Sequence, residues 1–182
     1  MRIIFLDIDG VLATHWSITQ PRATWSNQYM YPFDPVRVGH LNELINISSA
    51  EIVITSDWRL TFDTLEKLKG VFEHNKVVKS PIGITQDFSF DRDSEIEEYV
   101  SRHNLEEFVI LDDLSLACFP HHFIFIEDGE IGITQKHFEK ACKALEIPPF
   151  YNESKHHGLK KSKAREMQQF KEKWKTKSKR FL

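Results

Sequence analysis

FLDIDGVL, residues 5–12, begins apolar and runs directly into two carboxylates, Asp7 and Asp9, with Gly10 immediately after them. With the residues before it, the stretch forms the almost fully apolar run RIIFLD (2–7). Such runs belong to central strands of parallel sheets, where helices cover both faces. An acid, an apolar spacer and a second acid at a strand's end bring two like charges close together. In a poorly solvated place that repulsion amounts to several kcal/mol unless a cation offsets it. The stretch therefore asks for a positive partner.

Two further apolar runs end in the same way. EIVITS (51–56) finishes on Thr55 and Ser56, and FVILDD (108–113) on Asp112 and Asp113. HFIFIE (122–127) and the short KVVK (76–79) are additional strand candidates. Asp34-Pro35 signals a helix start, and Val38, Leu41, Leu44 and Ile45 then mark one face of a helix ending near Ile47. A second helix carries Phe62, Leu65 and Leu68 and closes at Gly70, and a third is capped by Asp93 or Ser94 and carries Ile96, Tyr99 and Val100. A fourth spans Gln135–Leu145, with Phe138, Cys142 and Leu145 on its apolar face. This alternation predicts an α/β fold with a parallel sheet and right-handed crossovers. Ligands of such sheets sit beyond the carboxyl ends of the strands, where Asp7, Asp9, Thr55, Ser56, Asp112 and Asp113 are expected to converge. A hard divalent cation with oxygen ligands, Mg²⁺ above all beside phosphate, would relieve that cluster. Solvated acids at loop starts are the alternative.

A chain of 182 residues suits one domain with a real core. No apolar run approaches the roughly 20 residues of a membrane span. MRIIFLDIDG meets an acid by its seventh residue, so it is not expected to be a secretory signal. Cys118 and Cys142 lack metal-like spacing and are expected as reduced thiols of a cytoplasmic protein. The net charge of −3 hides an asymmetry: residues 1–151 hold 13 Lys and Arg against 24 acids, whereas residues 152–182 hold 11 against 3. The basic end is thus a separate feature from an acidic body.

FLDIDGVL, VITS and VILDD, in this order, resemble the motifs of haloacid dehalogenase-like (HAD) hydrolases, over roughly residues 2–147. The DxDG(V/T) form is similar to that superfamily's phosphatase and phosphotransferase branch. TSDWR, the segment RDSEIEEYV before FVILDD, and GIT at 132–134 are similar to the small HAD domains of Swiss-Army-knife-type RNA-repair proteins. The resemblance implies a Rossmann-like, doubly wound parallel sheet with Mg²⁺ as cofactor and a phosphorylated substrate. By position, Asp7 would be the nucleophile that becomes an aspartyl-phosphate, and Asp9 the acid and base, lending its backbone carbonyl to the metal. Gly10 would turn the chain away so that both carboxyls face the phosphate. Thr55 would bond a phosphoryl oxygen, with Ser56 as its neighbour in substrate binding. Asp112, with Asp113 beside it, would hold the metal with Asp7. The family also implies a Lys or Arg at the phosphoryl group. Lys67, Lys69, Lys76, Lys79 and Arg92 are candidates, Arg92 the first choice and Lys79 the reserve. Arg59 in TSDWR is a further candidate for bidentate phosphate binding, whereas Trp58 reads as a packing residue.

From Asp7 to Thr55 is 48 positions and from Thr55 to Arg92 is 37, gaps that predicted elements consume and that leave no room for a cap domain. The expected organisation is a core over 1–150 with a flap at 13–33, and a basic helical extension over 151–182. Trp16, Trp25, Tyr29, Tyr31 and Phe33 make the flap aromatic, suited either to stacking bases or to a satellite core. Ala164, Met167, Phe170 and Trp174 form one stripe of the tail, which would either dock on the domain or touch RNA or another polyanion. The expected function is Mg²⁺-dependent phosphomonoester hydrolysis on nucleotide or nucleic-acid ends. The alternatives are a small-metabolite phosphatase closed by oligomerisation, and a silent HAD-fold binding protein.

Overall fold

The structure, a computed structural model, describes residues 1–19, 32–62 and 64–147. Among the described residues five strands, β1 (Ile3–Leu6), β2 (Glu51–Ile54), β3 (Gly83–Ile84), β4 (Phe108–Asp112) and β5 (Phe123–Phe125), form one sheet in the order β3-β2-β1-β4-β5. Every pairing is parallel, and Phe5 of β1 lies between Val53 of β2 and Ile110 of β4. Six helices accompany them among the described residues: α1 (His15–Ile18), α2 (Pro35–Ser48), α3 (Trp58–Thr61), α4 (Leu65–His74), α5 (Arg92–His103) and α6 (Gln135–Ala144).

The apolar runs are strands because both faces of the sheet are covered. Ile4, Leu6, Ile52, Ile54, Val109 and Leu111 point into a core filled by Leu41 and Leu44 of α2, Val71 and Phe72 of α4, and Phe138 and Ala141 of α6. The alternate residues Ile3, Phe5, Val53, Phe108 and Ile110 meet Ile96, Tyr99 and Val100 of α5. This is the period-2 alternation of a strand with neither face left to water, so the sheet is doubly wound as expected. The Phe5 ring stands edge-on to Tyr99 and Phe108, with centroids 5.5 and 5.7 Å away.

α2 starts as its sequence asks: Pro35 opens it, and the Asp34 carboxylate accepts the Val36 N–H at 2.7 Å. Three local expectations change. Residues 76–79 are not a strand. Lys76 takes a left-handed backbone (φ 63°) and the Val78 N–H bonds the Asn42 side chain at 2.9 Å, so the third strand falls instead at Gly83–Ile84. The helix expected around Phe62–Gly70 is two helices. Phe62 leaves α3 in an extended conformation, Thr64 caps α4 afresh, and α4 continues past Gly70 to His74. The cap of α5 is Asp91, whose carboxylate accepts the Ser94 N–H at 3.2 Å, while Asp93 bonds the backbone N–H groups of Ala117 and Cys118 at 3.0 and 2.8 Å.

Among the described residues one sheet is present, and α1 and α3 follow β1 and β2 where a cap would be inserted. Trp25, Tyr29, Tyr31 and the whole basic extension lie outside the described residues. Of the other flap aromatics, Trp16 is half exposed on α1, and Phe33 is buried against Trp58 and Phe72. Cys118 and Cys142 are both buried and unbonded to each other. No helix among the described residues is long and apolar enough to cross a membrane.

Phe5→Ala would leave a cavity at the centre of this packing, and a loss of about 3–5 kcal/mol is expected in urea unfolding. Val78→Ala, at an exposed position, is expected to stay within about 0.5 kcal/mol of the parent.

Candidate active site

The carboxyl ends of β1, β2 and β4 lie side by side, so the polar residues that terminate them gather in one place. Asp7 is buried at the end of β1 and its N–H bonds Leu111 O at 3.0 Å. The chain then turns tightly, with the N–H groups of Val11, Leu12 and Ala13 all directed at Ile8 O (3.2, 2.9 and 2.9 Å). Gly10 supplies the left-handed backbone (φ 68°) that this turn needs. The turn carries Asp9 out to the exposed side, where its Oδ2 accepts the Trp58 Nε1–H at 2.8 Å.

Arg92, in the first turn of α5, reaches this cluster from the sheet's α5 face. Its Nη1 donates to Asp7 Oδ1 at 3.0 Å and to Asp112 Oδ2 at 2.8 Å, and its Nη2 donates to Asp57 Oδ1 at 3.2 Å. The other oxygen of Asp112 accepts the Leu114 N–H at 2.9 Å. Lys79, the reserve cation, is paired with Glu51 at 2.6 Å, at the opposite end of β2.

Burial, then the neighbouring Asp112, pushes the Asp7 carboxyl up to about 8, against the pull of Arg92 and of a hydrogen bond from Ser56. Burial also raises Asp112, opposed by Arg92. Burial and Asp112 together raise Asp113. Asp9 is exposed as a residue, yet partial desolvation of its carboxyl raises it, partly offset by the Trp58 hydrogen bond. Burial works against the charge of Arg92, yet Asp112 and Asp7 outweigh it and hold its pKa above the ordinary value. The cluster carries more negative charge than one guanidinium compensates.

Carboxylate oxygens of Asp7, Asp112 and Asp113 lie within 4.8 Å of one another, a hard oxygen set that fits a divalent cation such as Mg²⁺. The Asp113 carboxylate rests against two glycines. A Cβ at Gly10 would come within 2.0 Å of its Oδ2, and one at Gly129 within 2.9 Å. The Asp9 side chain stands apart from this trio, on Trp58. Thr55 and Ser56 are buried at the end of β2, and Thr55 Oγ1 has no hydrogen-bond partner among the described residues. An orphaned buried hydroxyl beside such a site suits an oxygen-rich ligand.

Arg59 is held elsewhere than at a phosphate. Its Nη2 donates to both Glu95 oxygens at 2.7 Å, and its Nη1 to Thr55 O and Asp57 Oδ1. Three participants were not picked out from sequence. Asp57 resembles any surface acid. Trp58 packs on Phe33 and Phe62 as expected of a core residue, and its indole N–H serves Asp9 besides. Glu95 did carry a signal: it shares the stripe of Arg92, Ile96 and Tyr99, and an acid on a buried stripe demands a cation.

A parallel sheet in this strand order, with paired acids after its middle strand and a helix-borne cation joining Asp7 to Asp112 at the end of β4, defines the class of HAD-like hydrolases. The family model described as the HAD domain in Swiss Army Knife RNA repair proteins matches residues 3–138, and the chain belongs to that family. No curated protein and no solved structure matches it.

Mg²⁺ is expected to raise the thermal midpoint of the protein in proportion to its binding. Asp113→Asn should abolish that rise while leaving the metal-free midpoint equal or higher, because it relieves repulsion with Asp112. Differential scanning fluorimetry across a Mg²⁺ titration measures both.

Proposed function

We propose that this chain is a Mg²⁺-dependent phosphomonoester hydrolase that works through a phosphorylated Asp7. The observation that carries the reading is the unlike treatment of two acids two residues apart. Asp7 is buried and held by Arg92, whereas Asp9 is exposed and held by Trp58. Identical roles would need no such separation, but a nucleophile and a proton carrier do.

In the first step an Asp7 oxygen attacks phosphorus and the bond from phosphorus to the leaving oxygen breaks. Asp9, its proton affinity raised by partial desolvation of its carboxyl against Trp58, protonates that leaving oxygen. In the second step Asp9 takes a proton from water, whose oxygen attacks the phosphorus of phosphorylated Asp7. Inorganic phosphate departs and the Asp7 carboxylate is restored. Arg92 keeps Asp7 aimed and shares the negative charge of the phosphoryl group. The orphaned hydroxyl of Thr55 supplies a donor to a phosphoryl oxygen, and Ser56 steadies Asp7. A bound Mg²⁺, held by Asp7, Asp113, Asp112 and the Asp9 backbone carbonyl, would add charge compensation at the phosphate. Arg59, tied to Glu95, serves the site from behind.

Nucleotide or nucleic-acid ends are the substrate class we favour. The family's description as part of RNA-repair proteins supports it, as do a site with no cap among the described residues and the net charge of +8 on residues 152–182.

Phosphate release in Mg²⁺ from nucleotides, 3′- and 5′-phosphorylated oligonucleotides, sugar phosphates and phosphopeptides tests the reading. Asp7→Asn is expected to abolish turnover. Asp9→Asn is expected to lose about 100-fold or more in kcat/KM on alkyl phosphates and clearly less on p-nitrophenyl phosphate, whose leaving group needs no proton, while loss of the base in the shared second step lowers kcat on both. Silence of the wild type across the whole panel would sink the proposal. Deleting residues 155–182 should weaken oligonucleotide binding and spare turnover of the small ester.

A further inference from the structure

We infer that the buried Arg59–Glu95 pair is a positioning clamp that sets the guanidinium of Arg92 against Asp7; the inference rests on the phosphatase reading for its kinetic consequence. Arg59 stands four residues past Thr55, in the short helix α3 that follows β2, and Glu95 stands one helical turn past Arg92 on α5. The pair therefore joins the two elements that bring Thr55 and Arg92 to the site. Both side chains are essentially without solvent exposure (2% and 0%), and one terminal nitrogen of Arg59 meets both Glu95 oxygens at 2.7 Å.

The contacts continue to the chemistry without a gap. Arg59 Nη1 donates to Thr55 O and to Asp57 Oδ1 at 3.4 Å, and that same Asp57 oxygen accepts Arg92 Nη2 at 3.2 Å. Arg92 Nη1 then bridges Asp7 and Asp112. One face of Arg92 is thus tied to the reacting acids and the other to a carboxylate that Arg59 holds. Glu95 adds a third attachment by accepting the Phe88 N–H at 3.1 Å, which pins the loop leading into α5. An arginine meant to grip substrate would present its fork to the open site. Arg59 has its fork filled from within, so its effect on phosphate passes through Asp57 and Arg92.

A buried ion pair alone is weak grounds for a role in stability, since replacing both partners with apolar groups of similar volume is often neutral or better. That property separates the two roles. Removing one partner, as in Glu95→Gln, strands a charge and is expected to lower the melting temperature strongly. The double variant Arg59→Met with Glu95→Leu is expected to recover most of that loss, falling short of the wild type by the bonds to the Phe88 N–H and Thr55 O.

If the pair only stabilises the fold, kcat returns with the melting temperature. If it positions Arg92, the double variant stays about 100-fold low in kcat with KM little changed, the signature of lost alignment. A second measurement does not depend on turnover: ¹⁵N–¹H spectra of the arginine side chains. In the wild type the Arg92 Nη groups should give separate, slowly rotating signals, and in the double variant they should average. Recovery of full kcat in the double variant, or Arg92 signals unchanged from wild type, would overturn the clamp. A wild type that releases no phosphate would instead remove the phosphatase reading and leave the Arg92 spectra to decide the positioning claim.

Discussion

The guanidinium of Arg92 between Asp7 and Asp112 is the contact on which the rest of the site depends. Those acids end neighbouring parallel strands, and the strands are neighbours only because the chain reverses its winding direction between β3 and β4, passing through α5. The helix that makes the crossover also delivers the cation. Its first turn is fixed three times over, by Arg92 to the acids, by Asp93 to the backbone at Ala117 and Cys118, and by Glu95 to Arg59. Loss of Arg92 would leave two buried carboxylates facing each other, and breaking such a pair typically costs about 3–5 kcal/mol. Fold and site therefore share one electrostatic constraint: the end of the sheet carrying the acids is tolerable only while α5 stays docked.

The same constraint explains why a strand ends in acid, spacer, acid and glycine. A regular strand would place Asp7 and Asp9 on one face, two residues apart. Gly10 breaks that regularity, and the turn around Ile8 O draws Asp9 away to Trp58 while Asp7 remains beside Arg92. The glycine does more than bend the chain, because the space where its side chain would be is taken by Asp113. A single position thus separates the first two acids and admits another acid to the cluster.

What could be read from sequence divides along physical lines. β1, β2 and β4 were legible because central strands of a parallel sheet are apolar on both faces, and their ends carry Asp7, Thr55 and Asp112 where ligands sit. Arg92 was the first-choice cation because the resembled family places one at the start of the helix before the strand that supplies Asp112, and the structure sets it against Asp7 and Asp112. β3 was not: a two-residue edge strand has its place decided by pairing with Val53 and Ile54, not by its own pattern. The break at Phe62 was missed because an apolar stripe continues across it while the backbone does not. Arg59 was assigned to phosphate because an arginine near a strand end looks the same whether its fork faces the site or a buried acid. Only the location of Glu95 distinguishes these, and tertiary packing decides that.

Charge at the site carries the argument one step further. Asp7, Asp112 and Asp113 cluster there, Asp57 sits on Arg92, and Asp9 lies across the turn. Arg92 answers them, while Arg59 is neutralised by Glu95 before its charge reaches the opening. A phosphate dianion approaching this arrangement without a metal would meet a net negative field. On the proposed reading, the divalent cation is therefore needed for the substrate to bind, as well as for the phosphoryl group to transfer. The Glu95 that aligns Arg59 also withdraws a positive charge from the site. On the same reading, alignment of Arg92 is gained at the expense of phosphate attraction, and that deficit would tie the site to a metal.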